Sequence, residues 1–208
     1  MRLAVGGDHA GFPLKGPVIE YLRAAGQIVE DFGAHSPDPV DFPDIAQAVC
    51  DAVRQGRADR GILVCGTGVG AAIAANKLPG IRAAVCHDTY SAHQCVEHDD
   101  VNVLCVGAWI AGIRVVEEIL RAYLAAEFSA DPDVRRRVAK LAELERRAAR
   151  CVMRWMGARR ATGRSMKRPS RSATPKSSCG RSRRPTGWRP RTSSAFRPEA
   201  RRGRRSTS

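Results

Sequence analysis

Residues 62–77 read ILVCGTGVGAAIAANK, an aliphatic run that ends on Cys65 and continues into three glycines within five positions. The aliphatic run predicts a buried strand, and the alanine-rich segment behind the glycines predicts a helix. A cysteine at a strand end is commonly a packing residue, because its thiol behaves as a small hydrophobe. The glycine-rich turn that follows raises a second hypothesis, in which Cys65 faces a ligand.

The same strand–turn–helix pattern repeats from residue 1 to about residue 125, which predicts βαβ units and a parallel five-stranded sheet. Strands are predicted near 2–6, 28–32, 61–65, 82–86 and 102–106. Helices are predicted near 11–25, 43–56, 69–75, 89–97 and 112–126. The apolar third, fourth and fifth strands favour burial on both faces. A last amphipathic helix, near 132–150, either covers its own domain or packs on a partner subunit.

The predicted domain covers residues 1–150, and a basic tail follows over 151–208. The tail carries 18 Lys and Arg and one acidic residue, which leaves 17 basic and 20 acidic residues in the domain. The mildly acidic domain offers no basic footprint for nucleic acid. The tail is rich in Arg, Ser and Pro, and we expect it to be disordered. Three interpretations of the tail are open: a nonspecific nucleic-acid-binding segment, an extension without a role, or an out-of-frame translation of the end of the gene. The abrupt change in composition favours the out-of-frame translation.

Seven cysteines are scattered without paired spacing, which indicates neither a zinc site nor a disulfide framework. Such thiols suit a reducing compartment. The sequence shows neither a signal peptide nor an apolar run long enough for a membrane span. We therefore expect a soluble, cytoplasmic protein.

Unusual residues follow the predicted strands, at the edge where ligands bind in open parallel sheets. They are Asp8 and His9 after the first strand, Cys65 to Gly70 after the third, and His87 and Asp88 after the fourth. The glycine loop can turn its N–H groups toward a phosphate or a developing oxyanion. It can also be only a tight turn.

The sequence also allows a rival hypothesis for this loop and offers three candidates for proton transfer. A dinucleotide site, with Asp88 on a ribose hydroxyl, is the rival hypothesis, although the spacing is GxGxG and the loop follows the third strand. Backbone N–H groups and the helix N-terminus are expected to lower the pKa of Cys65, which makes it a candidate base or nucleophile. Thr67 either relays protons or caps the helix. His98 suits proton transfer near neutral pH, or it is a surface residue.

Four segments together closely resemble the type B ribose-5-phosphate isomerase family, which includes galactose-6-phosphate isomerase subunits. They are GGDHAGFPLK (6–15), ILVCGTGVGAAIAANK (62–77), GIRAAVC (80–86) and EHDDVNVLCVGA (97–108). The resemblance runs from residue 1 to about 150. It implies a Rossmann-like α/β/α domain that forms a homodimer or a dimer of dimers with shared active sites. It also implies a cofactor-free and metal-free aldose–ketose isomerisation of a sugar phosphate.

By position, the resemblance makes Cys65 the base that moves a proton between C1 and C2 through an enediolate. It assigns the enediolate oxygen to the backbone of Gly66, Gly68, Val69 and Gly70, and proton exchange between the two oxygens to Thr67. His98, contributed by the neighbouring subunit, would open the furanose ring. The remaining substrate-binding positions are Asp8 near the ring oxygens, Asp99, and His9 and Arg137 at the phosphate.

Three departures from the family pattern concern the substrate. Trp109 stands where an arginine is common, Asp133 and Val134 stand where an Arg–His pair is common, and Asp99 stands where asparagine is common. Losing an arginine weakens phosphate binding, and Arg135 or Arg136 are candidate replacements. The substrate is therefore a four-, five- or six-carbon sugar phosphate, or a sugar without phosphate. The alternative function is a nucleotide-binding or regulatory module on the same fold.

Overall fold

Five parallel strands form one sheet in the order β2-β1-β3-β5-β4 in the computed structural model, which describes residues 1–162 and their side chains as far as residue 151. The strands are β1 (Arg2–Gly7), β2 (Ile28–Asp31), β3 (Arg60–Cys65), β4 (Ala83–Val85) and β5 (Val103–Gly107). The helices are α1 (Phe12–Ala24), α2 (Phe42–Arg54), α3 (Val69–Ala75), α4 (Thr89–Asp99), α5 (Ile113–Ala125) and α6 (Pro132–Thr162). The predicted order and kind of these elements are confirmed.

Two hydrophobic cores lie on opposite faces of the sheet, which gives the predicted three layers. One core joins the sheet to α1, α4 and α5, with Leu22, Val96 and Leu120 among its buried side chains. The other joins the sheet to α2 and α3, with Val49 and Ala75 buried. The Rossmann-like α/β/α fold is therefore confirmed.

Burial of the strands differs from the prediction at one place. Residues 61–64 of β3 and all of β5 are buried, but the three residues of β4 are only half-buried. The prediction of full burial for the fourth strand was wrong, because β4 lies at the edge of the sheet and pairs only with β5. The side chain of Asn76 occupies the free edge, where it exchanges two hydrogen bonds with the backbone of Ala83.

The sheet reverses direction between β1 and β3. From β1 the chain moves outward to β2, and β3 then pairs on the other side of β1. Such a reversal opens a crevice at the carboxyl ends of the two strands. Asp8 directly follows β1 and Cys65 ends β3, so both residues lie at this crevice.

The last helix continues beyond its predicted end at residue 150 and reaches Thr162. Its extension, CVMRWMGARRAT, contains no proline and is rich in Ala, Met and Arg, which favour helix. The rest of the predicted disordered tail, 163–208, lies outside the described residues. Among the helices up to residue 162, none is long and apolar enough to cross a membrane.

Candidate active site

The thiol of Cys65 lies half-buried at the end of β3, between acidic and backbone groups. The carboxylate of Asp8 and the backbone N–H groups of Gly66 and Gly68 lie close enough to the thiol to shift its pKa. Asp8 is 5% exposed, and its Oδ1 also accepts the N–H of Gly11 at 2.8 Å. The thiol thus has a carboxylate on one side and the glycine loop on the other.

This environment changes the expected charge of Cys65. Burial raises the pKa of the thiol, the neighbouring carboxylate of Asp8 raises it further, and the N–H groups of Gly68 and Gly66 lower it. The net direction is upward. The expectation of a lowered pKa was wrong, because the loop N–H groups are outweighed by burial and by the neighbouring carboxylate.

The glycine loop turns sharply behind Cys65. Gly68 has a φ of +79°, which glycine tolerates without strain. Thr67 is exposed, and its Oγ1 accepts the N–H of Val69 at 3.4 Å, as expected for a residue at the start of a helix. Gly70 lies against Phe42, whose ring is 3.3 Å from where a side chain on Gly70 would begin. The predicted loop residues are therefore together at one crevice.

His9 lies on the rim of the same crevice. Its Nδ1 accepts the N–H of Val40 at 3.3 Å, which ties the first strand end to the loop over residues 33–42. The loop over residues 33–42 therefore lies beside the crevice, and Phe42 at its end, packed against Gly70, forms part of the rim.

His98, Asp99 and Arg137 lie at the opposite edge of the sheet. His98 and Asp99 end α4, just before the start of β5, and Asp100 pairs with Arg82, the residue before β4. Asp99 also lines a cavity of about 470 Å³ together with residues that include Arg82, Leu141 and Glu145. Arg137 is one helical turn before Leu141 on the exposed start of α6.

Strand register gives the scale of this separation. Gly61 pairs with Val103 at the start of β5, whereas Cys65 pairs with Gly107 at its end. Four residues of a parallel strand span about 13 Å. Within one chain, His98, Asp99 and Arg137 are therefore separated from Cys65 by the depth of the sheet.

The candidate replacement arginines on α6 already have partners. Arg136 pairs with Asp133 at 3.0 Å, and Arg135 donates to the carbonyl of Ser129 and stacks on the ring of Phe128. Arg137, the next residue along α6, is exposed as Arg135 and Arg136 are. The sequence pattern did not show how the contacts of these three arginines differ.

Two side chains at the crevice have contacts that the sequence did not predict. The indole of Trp109 covers Gly66, with ring atoms 2.8–3.0 Å from where a side chain on Gly66 would begin. The ring of His87 reaches the end of β5, where its Nε2 accepts the N–H of Gly107 at 3.0 Å. The position of His87 after a strand was the available signal.

The rival dinucleotide hypothesis relied on Asp88. Both oxygens of this carboxylate accept hydrogen bonds from Ser91, one from its N–H and one from its hydroxyl. Asp88 thus serves as the N-cap of α4.

Within the described residues, no group of three or more His, Cys, Asp or Glu side chains is placed to hold a metal ion.

Comparison with known proteins identifies the relatives of this fold. Residues 3–141 match the family model described as Ribose/Galactose Isomerase. The chain belongs to the ribose/galactose isomerase family. Ribose-5-phosphate isomerase B of Escherichia coli is 44% identical over 127 residues, covering 61% of this chain and 85% of that protein. D-erythrulose-4-phosphate isomerase of Pectobacterium atrosepticum is 42% identical over 132 residues, covering 62% of this chain and 85% of that protein.

Solved structures of ribose/galactose isomerases superpose on the described domain. Ribose-5-phosphate isomerase B of Clostridium thermocellum gives a TM-score of 0.70 at 42% identity, covering 71% of this chain and 99% of that chain. Ribose-5-phosphate isomerase B of Mycoplasma genitalium, solved with bound ribulose-5-phosphate, gives a TM-score of 0.67 at 34% identity. The match covers 70% of this chain and 96% of that chain. The predicted family and the predicted class of enzyme, a sugar-phosphate isomerase, are thereby confirmed.

Proposed function

We propose that this protein interconverts an aldose phosphate and its ketose phosphate through an enediolate, with Cys65 as the base. The observation that carries the proposal is the position of the Cys65 thiol, which faces the N–H groups of Gly66 and Gly68 at the carboxyl edge of the sheet. A proton acceptor and an oxyanion site are thus adjacent, which an enediolate mechanism requires.

In the proposed reaction, the thiolate of Cys65 removes the proton from C2 of the open-chain aldose. The C–H electrons form the C1–C2 double bond, and the carbonyl oxygen at C1 becomes the negative oxygen of the enediolate. Backbone N–H groups of Gly66, Gly68, Val69 and Gly70 stabilise that charge. The Thr67 hydroxyl passes a proton between the two oxygens, and return of the proton from Cys65 to C1 gives the ketose.

Ring opening and phosphate binding are assigned to the remaining site residues. We propose that His98 of a neighbouring subunit donates the proton that opens the furanose ring, while Asp8 orients the ring oxygens. His9 and Arg137 bind the phosphate, and Asp99 lies beside His98 in the substrate site. The separation of His98 and Arg137 from Cys65 within one chain supports a site completed by a second copy.

Exposed apolar side chains support this assembly. Val69, Ile73, Tyr90, Trp109 and Ile110 are each more than half exposed. Four of them lie beside the carboxyl edge, and Ile73 is one helical turn farther along α3. A concentration of apolar surface of this kind is typical of a subunit interface. We propose a homodimer or a dimer of dimers.

The proposed substrate is ribose 5-phosphate, with ribulose 5-phosphate as product, or a related sugar phosphate. The similar relatives are named for a five-carbon and a four-carbon sugar phosphate, and a further relative is named 4-deoxy-4-sulfo-D-erythrose isomerase. The common element is an anionic group at the end of a short sugar. The six described cysteines are free thiols, which supports the proposed cytoplasmic location.

The test is exchange of the C2 proton with deuterated solvent, followed by NMR, over a panel of four-, five- and six-carbon sugar phosphates. We expect exchange with the wild-type protein, loss of exchange in Cys65→Ala, and full exchange in Cys151→Ser, whose thiol is exposed on α6. Unchanged exchange in Cys65→Ala would overturn the assignment of the base. Saturable NAD binding without exchange on any sugar would favour the nucleotide-binding alternative.

A further inference from the structure

The imidazole of His87 bridges two strand ends at the crevice. His87 follows β4, the edge strand, and its ring reaches over the end of β5 toward the loop that follows β3. The pairing of β4 with β5 ends at Val85 and Cys105, so Gly107 lies beyond the β4–β5 pairing. The N–H of Gly107 donates to Nε2 of His87 at 3.0 Å.

The absence of a side chain at Gly107 makes this contact possible. A side chain there would begin 2.9 Å from Nε2 of His87 and 2.9 Å from the backbone carbon atoms of Thr67. The imidazole and the Thr67 backbone therefore occupy the two sides of the space that a side chain at position 107 would fill. His87 thus lies next to the glycine loop without belonging to it.

The segment after Gly107 is joined to the same loop by its backbone. The N–H of Ala108 donates to the carbonyl of Cys65 at 2.8 Å, and the N–H of Trp109 donates to the carbonyl of Gly66 at 3.0 Å. Each peptide plane is rigid. Fixing the carbonyls of Cys65 and Gly66 therefore fixes the direction of the N–H groups of Gly66 and Thr67, which lie in the same peptide planes.

We infer that His87 is a positioning residue, whose Nε2 holds the end of β5 so that the loop behind Cys65 keeps the N–H of Gly66 directed at the Cys65 thiol and at the reacting oxygen beside it. This inference rests on the proposed function of that loop. Because Nε2 accepts a hydrogen bond, it carries no proton, and the neutral ring carries its proton on Nδ1. The proposed role of His87 therefore depends on the hydrogen-bond acceptor at Nε2.

Three variants of the full-length protein test the role of that acceptor. In His87→Gln, the amide oxygen reaches about as far as Nε2 and can accept the Gly107 N–H. His87→Asn keeps the amide but is one carbon shorter, and His87→Leu keeps the bulk but has no acceptor. The readouts are kcat and KM for the sugar phosphate, and the rate at which iodoacetamide alkylates Cys65, followed by peptide mass spectrometry with Cys151 as internal reference.

We expect His87→Gln to retain wild-type values. His87→Asn and His87→Leu should lose kcat by about 10- to 100-fold, since small misplacements at a reacting centre have effects of that size. KM should change by less than about threefold, because the oxyanion forms only after binding. Alkylation of Cys65 should slow in the same two variants, because N–H groups that no longer point at the thiol stop favouring the thiolate.

Equal activity in all three variants, or equal losses in His87→Gln and His87→Leu, would overturn the inference. If His87→Leu does not fold, the Gln and Asn variants make the same comparison. Alkylation of Cys65 needs no substrate, so it tests His87 even if the wild-type protein isomerises no sugar of the panel, an outcome that would count against the proposed function alone.

Discussion

The carboxylate of Asp8 acts on the thiol of Cys65 across the crevice between β1 and β3. Asp8 is almost fully enclosed, and the pKa of Cys65 is raised by burial first and by Asp8 second. At neutral pH the thiol therefore rests protonated, and its thiolate fraction grows as pH rises through the raised pKa.

Asp8→Asn should lower the pKa of Cys65, because it removes a negative charge that disfavours the thiolate. The alkylation rate of Cys65, measured against pH, should then rise at lower pH than in the wild-type protein. Asp88→Asn is the matched control, since that exposed carboxylate bonds to Ser91 and should leave the profile unchanged. An unshifted profile in Asp8→Asn would contradict the effect assigned to its charge.

Mixing two inactive variants should restore activity if each site takes Cys65 from one subunit and His98 from another. Cys65→Ala and His98→Asn are each expected to be inactive alone. After joint refolding at equal amounts, half of the dimers are mixed and each holds one intact site, so activity should reach about a quarter of wild type. A mixture no more active than its components would show that one chain supplies both residues.

The ion pair between Lys15 and Asp31 should contribute much more to stability than an exposed pair. Nζ of Lys15 lies 2.7 Å from both carboxylate oxygens, and the lysine side chain is only 5% exposed. Lys15→Met leaves a partly buried carboxylate without its partner and should lower the free energy of unfolding by about 3 kcal/mol or more.

The control for that prediction is Arg2→Ala, which removes an ion pair with Asp59 whose side chains are 50% and 41% exposed. Its cost should be about 0–1 kcal/mol. Urea unfolding of both variants measures the difference. Similar losses in the two would refute the dependence on burial.

Gly68→Ala should impair both stability and catalysis, because alanine at a φ of +79° is strained by about 1–2 kcal/mol. Its side chain would also begin 3.3 Å from the carbonyl carbon of Val106. Gly112→Ala, at a φ of −74° and with open space around it, is the matched control and should change the free energy of unfolding by less than about 1 kcal/mol. Thermal melts and kcat measure both variants, and a neutral Gly68→Ala would contradict the requirement for this turn.

Trp109→Arg should strengthen binding of a phosphorylated sugar. The indole is 73% exposed beside Gly66, so a guanidinium there can reach an anionic substrate group at the crevice. A charge-assisted hydrogen bond predicts a KM lower by about tenfold for ribose 5-phosphate. Trp109→Phe should keep the wild-type KM. An unchanged KM in Trp109→Arg would show that residue 109 does not contact the substrate phosphate.

Much of the fold was predictable because hydrophobic periodicity is a local property. The aliphatic runs before Gly7, Cys65 and Gly107 located the central strands, and glycines and prolines located the turns. The exposure of β4 was not predictable in the same way. Its three residues are apolar like those of β5, and only the strand order places them at the edge.

The same distinction between local and long-range contacts applies to the candidate site. Residues adjacent in sequence, such as Cys65 and its glycine loop, were predicted together and lie together. His87 and Trp109 were not assigned contacts, because strand pairing across the sheet brings them to the loop. The pKa of Cys65 was predicted in the wrong direction, since Asp8 lies far from it in sequence.

The sequence by itself determined which segments form strands and helices, and which residue types are available at each strand end, because both depend on neighbours along the chain. Tertiary structure decided which of those residues meet and which stay apart. Strand pairing places Asp8 and the segment after Gly107 next to Cys65. The same topology places His98, Asp99 and Arg137 at the opposite edge of the sheet. The physical reason is that burial, charge and hydrogen bonding act through space, and the order of the strands sets the distances.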